Sequence, residues 1–342
     1  MKKSRNCNLD FIRVLSMLCV IGLHTSPKPL EGNRIFTIVF YTLLLTCNAN
    51  FYMLSGQLNL RKTFTTRQDY RNFYLKRLLS ILLPYVLFTF LLTLWNMLAV
   101  GEGITVLSYL KTVYEDFMTN NVQIHLWFMY PLIGMILSAP FLSKMLNNME
   151  DWELNILFGI GIAWNVISIY LTQDFGVGFS YSAWLLSSWM LLFFAGYYCY
   201  RIIRQEKSRK KWYLAGLICL AVNLLLSCLF PDNYKFSNDL APTYVLFAMT
   251  AFLFMQAELN IKNPVLQNII RFLSKHSFTV YCIHFNVVRW ITPHVVSGTG
   301  ATLLFIESFA VTFVVSLLFA VILDGCILKP MQKALTKLWK VA

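Results

Sequence analysis

Residues 78–100 read LLSILLPYVLFTFLLTLWNMLAV, without a single charged side chain. A hydrocarbon core about 30 Å thick takes roughly 20 such residues in a helix. Similar runs recur along the 342-residue chain. We read ten spans, at about 9–26, 35–57, 78–100, 125–146, 154–172, 181–203, 211–230, 240–258, 277–297 and 303–328. The expected fold is all-α, a polytopic transmembrane helix bundle forming one domain over 1–342. Composition agrees: 57% of residues are hydrophobic and 13% are charged, against about 25% charged in a soluble domain. That excludes an ordinary soluble enzyme, and also a disordered chain, which needs low hydrophobicity.

The net charge is +13, from 29 Lys and Arg against 16 Asp and Glu. Such a balance can mark nucleic-acid binding, but here it follows the positive-inside rule, and nucleic acid is not an expected partner. With the N-terminus in the cytoplasm, the cytoplasmic segments are the N-terminus, 58–77, 144–153, 201–211, 259–276 and 329–342. They hold 23 of the 29 basic residues. The outer segments hold four, Lys28, Arg34, Lys111 and Lys235, while Arg13 and Arg289 lie within spans. This split predicts both termini inside. Its weak point is 144–153, where Lys144 stands beside Glu150, Asp151 and Glu153. Lys2, Lys3 and Arg5 before an apolar run resemble a signal peptide, but Asp10 and Arg13 interrupt the run and no small-x-small site follows, so it reads as a retained span.

The longest gap, 101–124, carries Ile104, Leu107, Leu110 and Val113 or Tyr114 at helical spacing, which predicts a short amphipathic helix on the outer surface. Pro84, Pro131, Pro140 and Pro293 read as kinks inside or near spans. The eight cysteines form no CxxC pair and read as small buried hydrophobes.

Ionisable groups inside spans are costly and point to function. Asp10, three residues before Arg13, can pair with it. Arg13 and His24 are eleven residues apart, three turns plus about 20°, so they share a face roughly 16 Å apart along the axis. The plainer reading is an interfacial salt bridge and a helix-end histidine. The second span adds Asn48, Asn50 and Ser55, which also read as interhelical glue. His125 and Trp127 open the fourth span. The ninth carries His284 and Arg289, flanked by His276 and His294, with Glu307 the candidate partner for Arg289. The loop 58–77 holds Arg61, Lys62, Arg67, Arg71, Lys76 and Arg77, for topology and lipid attraction or for a phosphorylated ligand. The five histidines show no metal-ligand spacing.

In order, these features resemble acyltransferase family 3, bacterial membrane acyltransferases that modify cell-surface carbohydrates. The residues carrying the resemblance are Asn8 to Arg13 with His24, similar to the family's Arg-x10-His signature; Phe51 to Gly56; Phe73 to Arg77 with Pro84-Tyr85; His125-Leu126-Trp127-Phe128; and Ser277 through His284. The departures are Ser80, where the family commonly has another Arg, and Gln57, where an aromatic or apolar residue is usual. The fused esterase-like domain of some relatives is not found.

The resemblance implies a cytoplasmic acyl-CoA donor, acetyl-CoA by default, and a carbohydrate or lipid-linked sugar acceptor outside; from the histidine spacing no metal is expected. His24 would be general base or acyl carrier. Arg13, steadied by Asp10, would hold a phosphate or amide oxygen of the donor, and Arg71, Lys76 and Arg77 its nucleotide phosphates. His125, Trp127, His284, Asn48, Asn50, Ser55 and Arg289 would serve substrate binding, with Asn48 or Asn50 facing a developing oxyanion. Expected partners are acyl-CoA, the acceptor, the bilayer of a bacterial cell membrane and, optionally, a second copy of the chain. The rival reading is a transporter of a small polar solute such as an amino acid, since a related module in vancomycin-resistance serine racemases implies serine uptake.

Overall fold

The structure, a computed structural model, describes residues 6–26, 34–101, 103–119, 123–171, 188–205, 208–230, 240–298 and 300–341. Lys2, Lys3, Arg5, Lys28 and Lys235, the end of the fifth expected span and the first residues of the sixth lie outside them. The described residues form helices and connecting turns, with no strand. In chain order they are α1 (Cys7–Thr25), α2 (Arg34–Leu60), α3 (Arg67–Arg77), α4 (Leu83–Val100), α5 (Val106–Thr119), α6 (Met129–Asn147), α7 (Asp151–Asn165), α8 (Ser188–Arg204), α9 (Lys210–Leu229), α10 (Pro242–Ala257), α11 (Pro264–Trp290), α12 (Thr292–Val295), α13 (Ala301–Leu323) and α14 (Lys329–Val341).

Each of the ten expected spans falls on a helix. Seven helical segments are long and apolar enough to cross a membrane: Cys7–Thr25, Ile35–Leu60, Arg67–Val100, Ile124–Asn147, Asp151–Tyr170, Lys210–Leu229 and Ala301–Trp339. The chain is an all-α, multi-pass membrane protein. Of the other three, α8 is described over 17 residues, α10 has 16, and α11 has 27 but carries a buried polar face.

Two local features differ from the expectation. The basic segment 58–77 is only partly a loop, because α3 already starts at Arg67. Thr66 starts it with a capping box: Thr66 Oγ1 accepts from the Asp69 N–H at 3.2 Å and the Thr66 N–H donates to Asp69 Oδ2 at 2.8 Å. This satisfies orphan donors at the helix start. Pro84 does not break the third span. A π-helical turn at Leu78–Leu82 precedes it, and the Leu83 N–H bonds Leu78 O. The wider turn accommodates the N–H that proline lacks and the room its ring needs.

The chain divides into two compact units. Unit 1 comprises 1–19, 32–65 and 134–271. Its tightest crossing is α2 against α8. A Cβ on Gly56 would overlap the Phe193 carbonyl oxygen, and one on Gly196 the Met53 carbonyl oxygen. Small residues allow this backbone contact between membrane helices. One end of unit 1 is tied by polar bonds: Asn8 Nδ2 to Gln256 O and Leu259 O at 3.0 and 2.9 Å, Asn147 Nδ2 to Leu60 O at 3.0 Å, Arg201 to Asp151 at 2.5 Å, and Arg209 to Glu258 at 3.0 Å. The other end joins Tyr170 Oη to Thr243 Oγ1 at 2.9 Å and Tyr244 Oη to Thr42 O at 2.8 Å.

Unit 2 comprises 20–31, 66–133 and 272–342. At one end Arg71 donates to Trp339 O at 3.2 Å and Gln332 to Leu79 O at 2.9 Å, joining α14 to α3 and the π turn after it. Thr93 donates to Asp116 at 2.7 Å, fixing α5 beside α4. The expected amphipathic helix is α5. Val113 is buried, while Leu107, Leu110 and Tyr114 are exposed.

Candidate active site

Three of the histidines meet in unit 2. His24 stands in the last turn of α1. Gln123, in extended conformation, leads into a 3-10 turn at Ile124–Phe128 that carries His125. His284 lies on α11, with Tyr281 a turn before it. The ring centroids of His24 and His125 are 6.1 Å apart, those of His24 and His284 5.2 Å, and those of His125 and His284 4.7 Å. Phe285 lies 5.2 Å from His24 and 5.5 Å from His125, walling the cluster with an apolar face. His125 is 4% exposed and His284 0%.

Hydrogen bonds fix two of these groups. The Tyr281 hydroxyl donates to the His125 carbonyl. His284 Nδ1 lies 2.7 Å from Tyr281 O. A carbonyl oxygen only accepts, so Nδ1 carries the proton and Nε2 keeps its lone pair. Among the described residues, His284 Nε2 and both ring nitrogens of His125 have no hydrogen-bond partner. Beside them an amide network joins three helical segments. Gln123 donates to Asn286 and, at 3.2 Å, to Asn96, and Asn286 donates to Asn96 at 3.3 Å. Gln123 and Asn286 each stand two residues from a site histidine, so the network steadies both supports.

The other expected residues fall elsewhere. Asp10 and Arg13 belong to unit 1 and form the expected pair at 3.3 Å. Asn48, Asn50 and Ser55 are also in unit 1. Ser55 accepts from Asn59 Nδ2 through its carbonyl at 2.8 Å and its hydroxyl at 3.2 Å. Trp127 is half-buried beside Phe128. Arg71 lies over the Trp339 ring and Arg77 over Phe73, while Lys76 is exposed. Beyond the start of the ninth span, the Lys329 ammonium holds Lys275 below its ordinary value, so positive charge concentrates at this end of unit 2. The expected pairing of Arg289 with Glu307 does not form. Glu307 accepts from the backbone N–H groups of Ser297 and Gly298 at 3.2 and 2.9 Å, and Arg289 stacks 4.8 Å from the Trp290 ring centroid. The two loop N–H groups meet the carboxylate first, and the exposed Arg289 has water and an aromatic face.

One feature escaped the sequence reading. His276 Nδ1 lies 2.6 Å from Asp324 Oδ2, and Thr279 donates to Asp324 Oδ1 at 2.5 Å, all buried. The available signal was a carboxylate inside the tenth expected span. Gln57, one of the two departures from the family pattern, has a fully buried side chain. No group of three or more His, Cys, Asp or Glu among the described residues could hold a metal ion.

The family model described as an acyltransferase domain, that of acyltransferase family 3, matches residues 7–324. The chain belongs to acyltransferase family 3. No curated protein and no solved structure matches it. The match runs through both units and includes every histidine of the cluster. The protein is a membrane acyltransferase.

Proposed function

We propose that this acyltransferase moves an acetyl group from cytoplasmic acetyl-CoA to a hydroxyl of a cell-envelope carbohydrate or glycolipid outside. The observation that supports this reading is the meeting of His24, His125 and His284 against Phe285. Acyl transfer to a hydroxyl needs a base at the attacking oxygen, and the cluster offers imidazole nitrogens that are not committed elsewhere.

In this reading the acceptor hydroxyl lies against His24. A ring nitrogen of His24 takes the hydroxyl proton as the oxygen attacks the thioester carbonyl carbon. The new C–O bond forms, the C–S bond breaks, and the thiolate takes up a proton to leave as free coenzyme A. His284 Nε2 then relays the proton away from His24. A positioned base of this kind contributes about 10²–10⁴-fold. Arg13, paired with Asp10, holds a phosphate or amide oxygen of the donor. Arg71, Lys76 and Arg77 meet its nucleotide phosphates, for which Arg and Lys clusters are suited. His125 and Trp127 serve acceptor binding. The chain crosses the membrane ten times with both ends in the cytoplasm.

Sealed vesicles test this. Labelled acetyl-CoA supplied at the cytoplasmic face should label carbohydrate at the opposite face, and Arg13→Ala should raise KM for acetyl-CoA more than for the acceptor. Accumulation of a labelled amino acid with no labelled carbohydrate would replace acyl transfer with transport.

A further inference from the structure

Tyr200, one turn before the end of α8, carries two guanidinium groups. The central carbon of the Arg204 guanidinium stands 5.7 Å from the ring centroid, and that of Arg61 5.9 Å. Arg204 also donates to the Tyr200 hydroxyl at 3.3 Å. Both arginines are exposed. An aromatic face attracts a cation, but it does not cancel the repulsion between two of them. Among the described residues neither arginine has a carboxylate partner. Carboxylates at this end of unit 1 are held elsewhere: Asp151 by Arg201, Glu258 by Arg209 and Tyr213, and Glu150 and Glu153 at the start of α7.

The fold builds this pair. α2 and α8 touch through Gly56 and Gly196. Arg61 follows the first glycine by five residues and Tyr200 the second by four, about 6–8 Å further along the axes, so the close crossing brings them together. The backbone at 60–62 is strapped to α6. Asn147 donates to Leu60 O and Lys62 O at 3.0 and 3.1 Å, and Ser143 donates to Lys62 O. Asn147 is held in turn by the Tyr197 hydroxyl at 3.0 Å. Arg61 and Arg204 therefore stand on fixed supports at an open surface, with N–H donors to spare among the five of each guanidinium. Such forks match phosphate oxygens in geometry and charge.

We infer that Arg61 and Arg204, mounted on Tyr200, form a clamp for the phosphate of a ligand at the end of unit 1 counted as cytoplasmic. One phosphate-bearing group neutralises both guanidiniums, which the protein itself leaves without a counter-charge among the described residues. A soluble phosphorylated compound such as coenzyme A and an anionic phospholipid headgroup share this chemistry. The clamp does not depend on the acyl-CoA reading, whose expected phosphate contacts, Arg71, Lys76 and Arg77, belong to unit 2.

The test uses purified full-length protein in a maltoside detergent, which carries no phosphate. It is titrated with coenzyme A and, separately, with phosphatidylglycerol added to the micelles. Arg61→Gln and Arg204→Gln should each weaken binding of one of these by about tenfold or more, the worth of a charge-assisted hydrogen bond. Tyr200→Phe, which keeps the ring, should stay within about twofold of wild type. The Tm of the ligand-free arginine variants should stay near wild type, because each relieves a repulsion. A loss confined to coenzyme A supports the clamp and names a soluble phosphorylated ligand. A loss confined to phosphatidylglycerol supports it and names a membrane headgroup. Unchanged affinity for both ligands in both arginine variants, with or without a lower ligand-free Tm, would overturn the clamp, and so would wild type that binds neither.

Discussion

His284 carries its proton on Nδ1 because the Tyr281 carbonyl sits 2.7 Å away. Its remaining nitrogen is therefore the chemically available one. His284→Ala should lower kcat by about 10²-fold or more while Tm and membrane insertion stay near wild type. Tyr281→Phe removes the donor to the His125 carbonyl, and should cost about 1 kcal/mol of stability and slow turnover by loosening the 3-10 turn. At this scale the sequence was informative about His24, His125 and His284, since a histidine in an apolar run stands out. Their meeting was not legible, because it joins positions up to 260 residues apart, and no local pattern records that. The amide network was missed for the same reason, its Asn96–Asn286 bond spanning 190 positions. Asp324 was overlooked because it sits at the end of a long apolar run, although its cost there is an argument for attention.

The helices themselves were legible because apolar length is a sufficient signal for them. Their local irregularities depend on smaller cues. Thr66 and Asp69 announce the start of α3, and Thr66→Ala should destabilise that end by about 1 kcal/mol, seen as faster hydrogen exchange at 67–70. Gly196→Ala should severely reduce folded yield, since α2 offers a backbone carbonyl where the new methyl would stand. Glu258 gives a pH test beyond the end of α10. The Tyr213 hydroxyl and then the Arg209 guanidinium hold its carboxyl below the ordinary glutamate value. A depressed carboxyl contributes stability above its unfolded pKa and loses it as pH falls through the folded one. The Tm advantage of wild type over Glu258→Gln should therefore be small at neutral pH and vanish below the ordinary glutamate range.

At the scale of the whole molecule, charge counting gives an expected side for each helix end, and in unit 1 hydrogen bonds gather ends expected on the same side. In unit 1, Asn8, Leu60, Asn147, Asp151, Arg201, Arg209 and Leu259 come from segments counted as cytoplasmic; Asn8 bonds Leu259, Asn147 bonds Leu60 and Arg201 pairs with Asp151, while Arg209 pairs with Glu258 at the edge of its span. The weak segment 144–153 is among them, with Asp151 paired to Arg201, a residue of the most basic run on that side. Acid in that loop thus offsets neighbouring positive charge, which suits the expected cytoplasmic side. Reporter fusions after residues 149 and 260 should read cytoplasmic, and those after 101 and 230 should read external. A reversed reading at 149 alone would remove two crossings from the count.

The most direct measurement is free thiol released from acetyl-CoA by the purified protein in detergent, with wild type beside His24→Ala. The account predicts steady release by wild type and loss of about 10²-fold or more in the variant, with equal folding by thermal melt. Equal release by the two proteins would contradict it, because His24 would then take no part in the chemistry.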